Sequence, residues 1–219
     1  MSDGCAGVRR RGRSIVMVSA LLFASTLGSA VDAEPLASAE ATLVTAVFAA
    51  GCFWCMEPPF DKLEGVVRTT SGYTGGHQRN PTYEEVSAGT TGHTEAIEVT
   101  YDSGKISYQQ LLDVFWKNVD PVAVDRQFCD VGRQYRSGIY FRDAAERAAA
   151  SASKTKLEES GRFDGAEIAT EIVAATTFYP AEEYHQDYYV KNPLRYKYYR
   201  WGCGRDQRLE EIWGPQPTP

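Results

Sequence analysis

The segment that most narrows what this chain can fold into is Leu43-Val44-Thr45-Ala46-Val47-Phe48-Ala49-Ala50, which stops at Gly51. It is apolar, carries β-branched residues and reads as a buried strand. After Gly51 the period changes. Phe53, Met56, Phe60 and Leu63 recur at three- or four-residue steps, a helical pattern through Leu63. Pro58 and Pro59 fall inside it, so the first turns must be short or the helix must restart there. A strand that passes through Gly into a helix puts Cys52 at the helix N-terminus.

Further along, strands are expected at Val66 to Tyr73, Thr94 to Tyr101, Ser137 to Phe141 and Ile168 to Thr176. The second of these alternates Ala96, Glu98 and Thr100 against Ile97, Val99 and Tyr101, as a half-buried strand does. Thr74-Gly75-Gly76-His77 reads as a turn, and Glu84 and Glu85 suit a helix start. Ser107 to Val119 is the clearest helix: Ser107 is a good N-cap, Leu111, Leu112, Phe115 and Trp116 share a face, and Asp120-Pro121 stops it. Asp143 to Ser160 reads as a helix ending at Gly161, and Ala181 to Lys191 as a short aromatic one. The stretch from Leu194 onward, rich in Tyr, Arg and Gly, reads as an irregular surface tail. Strands and helices in mixed order favour a two-layer α+β domain over a doubly wound sheet.

The 219 residues are 43% hydrophobic and 24% charged, enough for one core without staples. A net charge of -6 leaves no electrostatic footprint for nucleic acid. Residues 1–33 have the layout of a secretory signal peptide. Arg9, Arg10, Arg11 and Arg13 form a basic start, Ser14 to Leu27 is an uncharged and largely apolar run, and small residues follow. That run is short of the ~20 residues a comfortable membrane span needs, although an uncleaved anchor is the competing reading. Residues 34–42 read as a linker, 43–200 as the folded domain and 201–219 as the tail. Removing the leader takes Cys5 away and leaves Cys52, Cys55, Cys129 and Cys203. Four exported thiols could make two structural disulfides, but Cys-x-x-Cys at 52–55 favours a redox-active pair.

At a helix start, unpaired N–H groups and the positive dipole end favour a thiolate, which is the nucleophilic form. Cys52 is therefore expected to ionise more readily than an ordinary thiol. The competing reading, a buried small hydrophobe, is weakened by Gly51 before it and by Phe53 and Trp54 after it. Glu95, Asp130 and Tyr135 each have a bland reading when taken singly. No His and Cys residues fall at zinc spacing, and no flavin or nucleotide motif is present.

Several segments together resemble the A-type peptide methionine sulfoxide reductases. They are G-C-F-W-C-M-E at 51–57, S-G-Y-T-G-G at 71–76, N-P-T-Y-E-E-V at 80–86 and T-G-H-T-E-A at 91–96. The series continues with Y-x-x-L-L-x-V-F-W at 108–116, D-V-G-R-Q-Y-R-S at 130–137, F-Y-x-A-E-x-Y-H-Q at 178–186 and N-P at 192–193. These blocks come in the family's order and span about residues 45–200, and C-G-R-D at 203–206 resembles a subgroup. The fold expected is a two-layer sandwich, a ferredoxin-like mixed sheet with helices packed on it and a long irregular C-terminal tail.

The resemblance implies that Cys52 attacks the sulfoxide sulfur and becomes a sulfenic acid, releasing methionine. It implies Glu95 as proton donor, most effective if burial keeps it protonated. Tyr83 and Tyr135 would hydrogen-bond the sulfoxide oxygen. Asp130 would support that network, and Phe53 and Trp54 would wall the methyl pocket. The S epimer would be the substrate, free or in proteins, with a thioredoxin-like reductant, no cofactor and a monomeric enzyme. Many members carry Gly where this chain has Cys55, so two residues compete to resolve the sulfenic acid. Cys203, in a Gly-flanked tail able to swing in, is favoured over Cys55. His185 is left as structural. The rival reading is an exported thioredoxin-like oxidoreductase using Cys52 and Cys55, against which stand the Phe-Trp dipeptide and the missing loop Pro.

Overall fold

A computed structural model describes residues 42–215. The leader and most of the linker expected at the N-terminus lie outside the described residues. The chain runs through β1 (Leu43–Ala50), a 3-10 turn at Phe53–Cys55, α1 (Glu57–Asp61), β2 (Val66–Thr74), α2 (Tyr83–Ser87), β3 (Thr94–Asp102) and α3 (Tyr108–Lys117). Next come the short hairpin strands β4 (Arg126–Gln127) and β5 (Asp130–Val131), a 3-10 turn at Arg133–Tyr135, β6 (Ser137–Phe141), α4 (Ala144–Glu159) and β7 (Glu171–Ala174). The last elements are β8 (Tyr179–Pro180), a 3-10 turn at Glu183–His185, α5 (Tyr188–Lys191), α6 (Pro193–Gly202) and α7 (Arg205–Trp213).

Six strands form one mixed sheet in the order β7-β6-β1-β3-β2-β8. Its middle, β6-β1-β3-β2, is antiparallel throughout, with α1 and α3 as the two crossovers, which is the ferredoxin-like pattern. Only β7 runs parallel to its neighbour β6. Period-two alternation divides the apolar residues of β1 between the two faces. Ala46, Phe48 and Ala50 join Phe60 of α1 and Leu111, Leu112 and Phe115 of α3 in the main core. Phe48 stacks at 5.4 Å on both Phe60 and Phe115. Each such side chain contributes about 1.5–3 kcal/mol by leaving water. Val47 and Ala49 face the other way, against Ala96 and Tyr140.

The helix starts follow from short-range chemistry. Ser107 with Gln110, and Thr82 with Glu85, form reciprocal capping boxes at α3 and α2. Asp143 caps α4 by accepting from the Glu146 N–H.

One of two open alternatives is met and three expectations change. The pattern over Cys52–Leu63 restarts at Glu57, because Pro58 and Pro59 fit only a first helical turn. β3 is buried along most of both faces rather than on one, because it lies between β1 and β2 in the middle of the sheet. The aromatic helix at 181–191 breaks at Asp187, whose φ of 52° is left-handed. The tail is not irregular: α6 and α7 account for residues 193–213, with Pro193 starting α6 and Gly204, at φ 65°, dividing the two. Among the described residues no helix is long and apolar enough to cross a membrane.

Candidate active site

The inner strands β1 and β3 deliver the two central groups. At the end of β1 the chain turns at Gly51, where only glycine fits: φ is 76°, and an added Cβ would lie 2.5 Å from the Gln127 Cβ. Cys52 then opens the 3-10 turn, with the Cys55 N–H donating to the Cys52 carbonyl at 3.1 Å. Both thiols are free and buried. Glu95, on the strand paired with β1, is 2% exposed, and its Oε2 accepts from the Phe53 N–H at 3.1 Å. Burial pushes the Glu95 carboxyl up to about 8, helped by the charges of Asp130 and Cys55 and opposed by the Phe53 bond. At neutral pH the group therefore holds its proton.

The thiols do not follow the helix-dipole expectation. Burial, a hydrogen bond to Cys55 and the nearby Glu95 push the Cys52 thiol up, not down. The bond from Cys52 brings Cys55 down to about 7, assisted by Arg205 and Arg200 against the cost of burial. The reason is local. The turn at Cys52 is three residues long, α1 starts only at Glu57, and the Phe53 N–H is already taken by Glu95. The two sulfurs titrate as a unit: burial opposes a charge on Cys52, and the bond between the sulfurs, with Arg205 and Arg200, favours one on the pair.

Around this pair stand the polar groups named from sequence. Burial, and after it Glu95, pushes the Tyr83 hydroxyl up to about 12 and raises Tyr135 further, so both remain neutral donors. Asp130, raised by burial, accepts from the Tyr199 hydroxyl at 2.6 Å, and Tyr199 also hydrogen-bonds Cys52. Phe53 is buried, its ring 6.0 Å from Tyr73 and 5.0 Å from His185. Trp54 stacks on Tyr188 at 3.7 Å and donates from Nε1 to His185 Nδ1 at 3.1 Å. His185 is buried and its ring is pushed down by burial, so it stays neutral and holds Trp54 in place. Trp54 also borders an open cleft of about 450 Å³ with Tyr188, Leu194, Arg195, Tyr198 and Tyr199.

The structure gives Cys203, the preferred resolving residue, a partner. It is not a free tail thiol but is joined to Cys129 in a disulfide, at the end of a regular helix. The thiol next to Cys52 is Cys55. The Cys203 sulfur still lies 3.9 Å from Asp130 Oδ2, at the margin of the same polar network. Asp130 with these two sulfurs has the spacing of a metal cluster, but the sulfurs are bonded to each other. Sequence reasoning missed Tyr199 and Arg205. The aromatic run at 196–201 carries no spacing that singles out Tyr199, and only the match at C-G-R-D touched Arg205.

The family model described as peptide methionine sulfoxide reductase matches residues 44–217. A Bacillus licheniformis protein named peptide methionine sulfoxide reductase MsrA is 51% identical over 169 residues, 77% of this chain and 93% of that one. The crystal structure of Mxr1 from Saccharomyces cerevisiae in reduced form superposes with a TM-score of 0.64 at 31% identity, over 69% of this chain and 86% of that one. Methionine sulfoxide reductase A of Corynebacterium diphtheriae gives a TM-score of 0.62 at 36% identity, over 69% of this chain and 76% of that one.

Proposed function

The chain belongs to the peptide methionine sulfoxide reductase family, and from that premise we propose how its residues carry the reaction. The enzyme reduces the S epimer of methionine sulfoxide to methionine through a catalytic cysteine and a disulfide. The observation that carries the assignment of roles is a buried cysteine pair beside a carboxyl that stays protonated at neutral pH. Removing oxygen from a sulfoxide needs a soft nucleophile together with an acid for that oxygen.

Cys52 sulfur attacks the sulfoxide sulfur as its proton moves within the pair with Cys55. Glu95 donates a proton to the oxygen, while Tyr83 and Tyr135 hydrogen-bond it as negative charge grows there. The oxygen passes to Cys52 as the substrate S–O bond and the transient bond between the Cys52 and substrate sulfurs break, methionine leaves, and Cys52 is a sulfenic acid. Cys55, the thiol in contact, then attacks that sulfur, forming a Cys52–Cys55 disulfide and releasing water. An external dithiol of the thioredoxin type returns both sulfurs to thiols and is itself oxidised to a disulfide. Phe53 and Trp54 supply the apolar wall for the substrate methyl, with Trp54 oriented by His185.

The work is done outside the cytoplasm by a monomer. The basic and apolar leader read in residues 1–33 supports export, and a disulfide with an exposed member, Cys129, suits an oxidising compartment. Cell fractionation with N-terminal sequencing of the mature protein tests that location.

The test of function is a dithiothreitol-coupled assay on each sulfoxide epimer, with mass mapping of the bridge after one turnover. Turnover of the S epimer alone, lost in Cys52→Ser, is expected. Insulin reduction without sulfoxide turnover would replace this reading by a thiol-disulfide oxidoreductase.

A further inference from the structure

Three arginines of the last two helices lie close together in sequence and differ in their partners. Arg200 is paired with Asp206, Nε to Oδ1 at 2.8 Å, and Arg208 with Asp120 at 2.8 Å. Arg205 makes no salt bridge among the described residues, although its charge acts on nearby Asp130, and it is the most deeply buried of the three, 1% exposed. Its guanidinium sits 4.3 Å over the Phe128 ring. Nη2 donates to the Asn118 carbonyl at 2.6 Å, both Nη atoms reach the Ala50 carbonyl at 3.4 Å, and Nη2 lies 3.1 Å from Met56 Sδ. Nε has no partner.

A buried cation is costly unless an opposite charge sits nearby. Carbonyl oxygens and a ring face provide partial charges only. Ala50 lies just before the Gly51-Cys52 turn and Met56 directly follows Cys55, so the guanidinium contacts the chain on either side of the Cys-Phe-Trp-Cys segment. The groups facing the two sulfurs from the surrounding elements are Glu95 of β3, Asp130 of β5, Tyr83, Tyr135, Tyr196, Tyr199, Arg200 and Arg205. Asp130 opposes a thiolate, Glu95 does so only once it loses its proton near 8, and the tyrosines are neutral. Arg200 is already matched by Asp206, whereas Arg205 acts on Asp130 without forming an ion pair and is the cation left to face the thiols.

We propose that Arg205 is a positioning residue, the counter-charge that holds a thiolate on the Cys52–Cys55 pair. This rests on the reading of that pair as nucleophile and partner. Burial depresses the guanidinium while Cys55 and Cys52 support its charge, so the stabilisation runs in both directions. When the pair is oxidised to a disulfide, the thiolate disappears and Asp130 is the anion left to interact with Arg205.

The test is the pH dependence of iodoacetamide alkylation, mapped by mass spectrometry to the peptide holding Cys52 and Cys55. It compares reduced full-length wild type, Arg205→Gln and Arg205→Lys. Gln keeps a donor to the carbonyls but not the charge, and its alkylation at pH 7 should fall about tenfold, the midpoint rising by about one pH unit. Lys keeps the charge but not the fork and should stay within about threefold of wild type.

A purely structural role would lower Tm in both variants and leave the midpoint in place; an unchanged midpoint in Arg205→Gln overturns the proposal. Should that variant fail to fold, the neutral Arg205→Met takes its place: a midpoint raised by about one pH unit supports the counter-charge and a wild-type midpoint overturns it. Sulfoxide turnover by wild type is measured alongside. Its absence would sink the functional reading, whereas normal turnover with an unmoved midpoint would sink this inference only.

Discussion

The two cysteine pairs of this molecule have opposite environments. Cys52 and Cys55 are free thiols three residues apart, sealed at the end of an interior strand and surrounded by titratable groups. Cys129 and Cys203 are 74 residues apart, joined to each other, and sit where a surface hairpin meets a helix end. Burial makes the charge state of the first pair sensitive to every neighbour, because a low-dielectric setting strengthens each interaction. Exposure gives the second pair access to an external reductant and a role in fastening the last two helices. One pair is arranged for reaction, the other for closure.

Replacing Cys52 by Ser is expected to give the largest effect, a loss of at least ~10³-fold in sulfoxide turnover with the fold retained. Normal turnover in that variant would erase the distinction between the pairs. Glu95→Gln keeps the shape but cannot donate a proton, and kcat should fall about 10²-fold. The pH–rate profile sharpens the same point. Activity should rise as the cysteine pair loses a proton near 7 and fall as Glu95 loses its own near 8, a narrow bell. In Glu95→Gln the alkaline limb should vanish.

The surface pair should respond differently. Cys129→Ser should leave single-turnover methionine formation near wild type and lower thermal stability by about 2–4 kcal/mol, read by denaturant titration. A single-turnover defect matching that of Cys52→Ser would show that the two pairs are not separable in this way.

The smallest effect concerns a buried carboxyl outside the reaction. Burial pushes Glu57 up to about 7 although Ser71 donates to it. Its folded-state value exceeds its unfolded one, so the stability tied to its neutral form is full in acid. That stability declines as pH rises from about 4.5 through about 7. Glu57→Gln should flatten the fall of Tm across that window.

Much of the scaffold was legible because its signals are local. The run at 43–50, the cap and apolar face of α3, and the capping pair at Thr82 each describe themselves within a few residues. Cys52 and Glu95 were legible as groups, through matched motifs. The charge arrangement was not. Reading a helix N-terminus predicts an easily ionised Cys52, but that reasoning omits burial and the second thiol, which dominate here. The tail was misread because α6 leaves Leu194, Tyr198 and Trp201 exposed, so its apolar residues mark no core face. The Cys129–Cys203 bond joins segments with no shared periodicity, and spacing along the chain could not choose it over the alternatives.

The ladder between β1 and β3 has a consequence for how the molecule comes apart. Its rungs run from Leu43 opposite Asp102 to Phe48 opposite Ile97, on the two innermost strands, and both the attacking sulfur and the acid hang just past its last rung. Amide hydrogens along this seam should be the slowest in the protein to exchange with deuterium, and those of α6 and α7 among the fastest. A molecule whose carboxyl-terminal helices have momentarily frayed would therefore still hold sulfur and acid face to face, while losing Tyr199 and Arg205 from around the thiols.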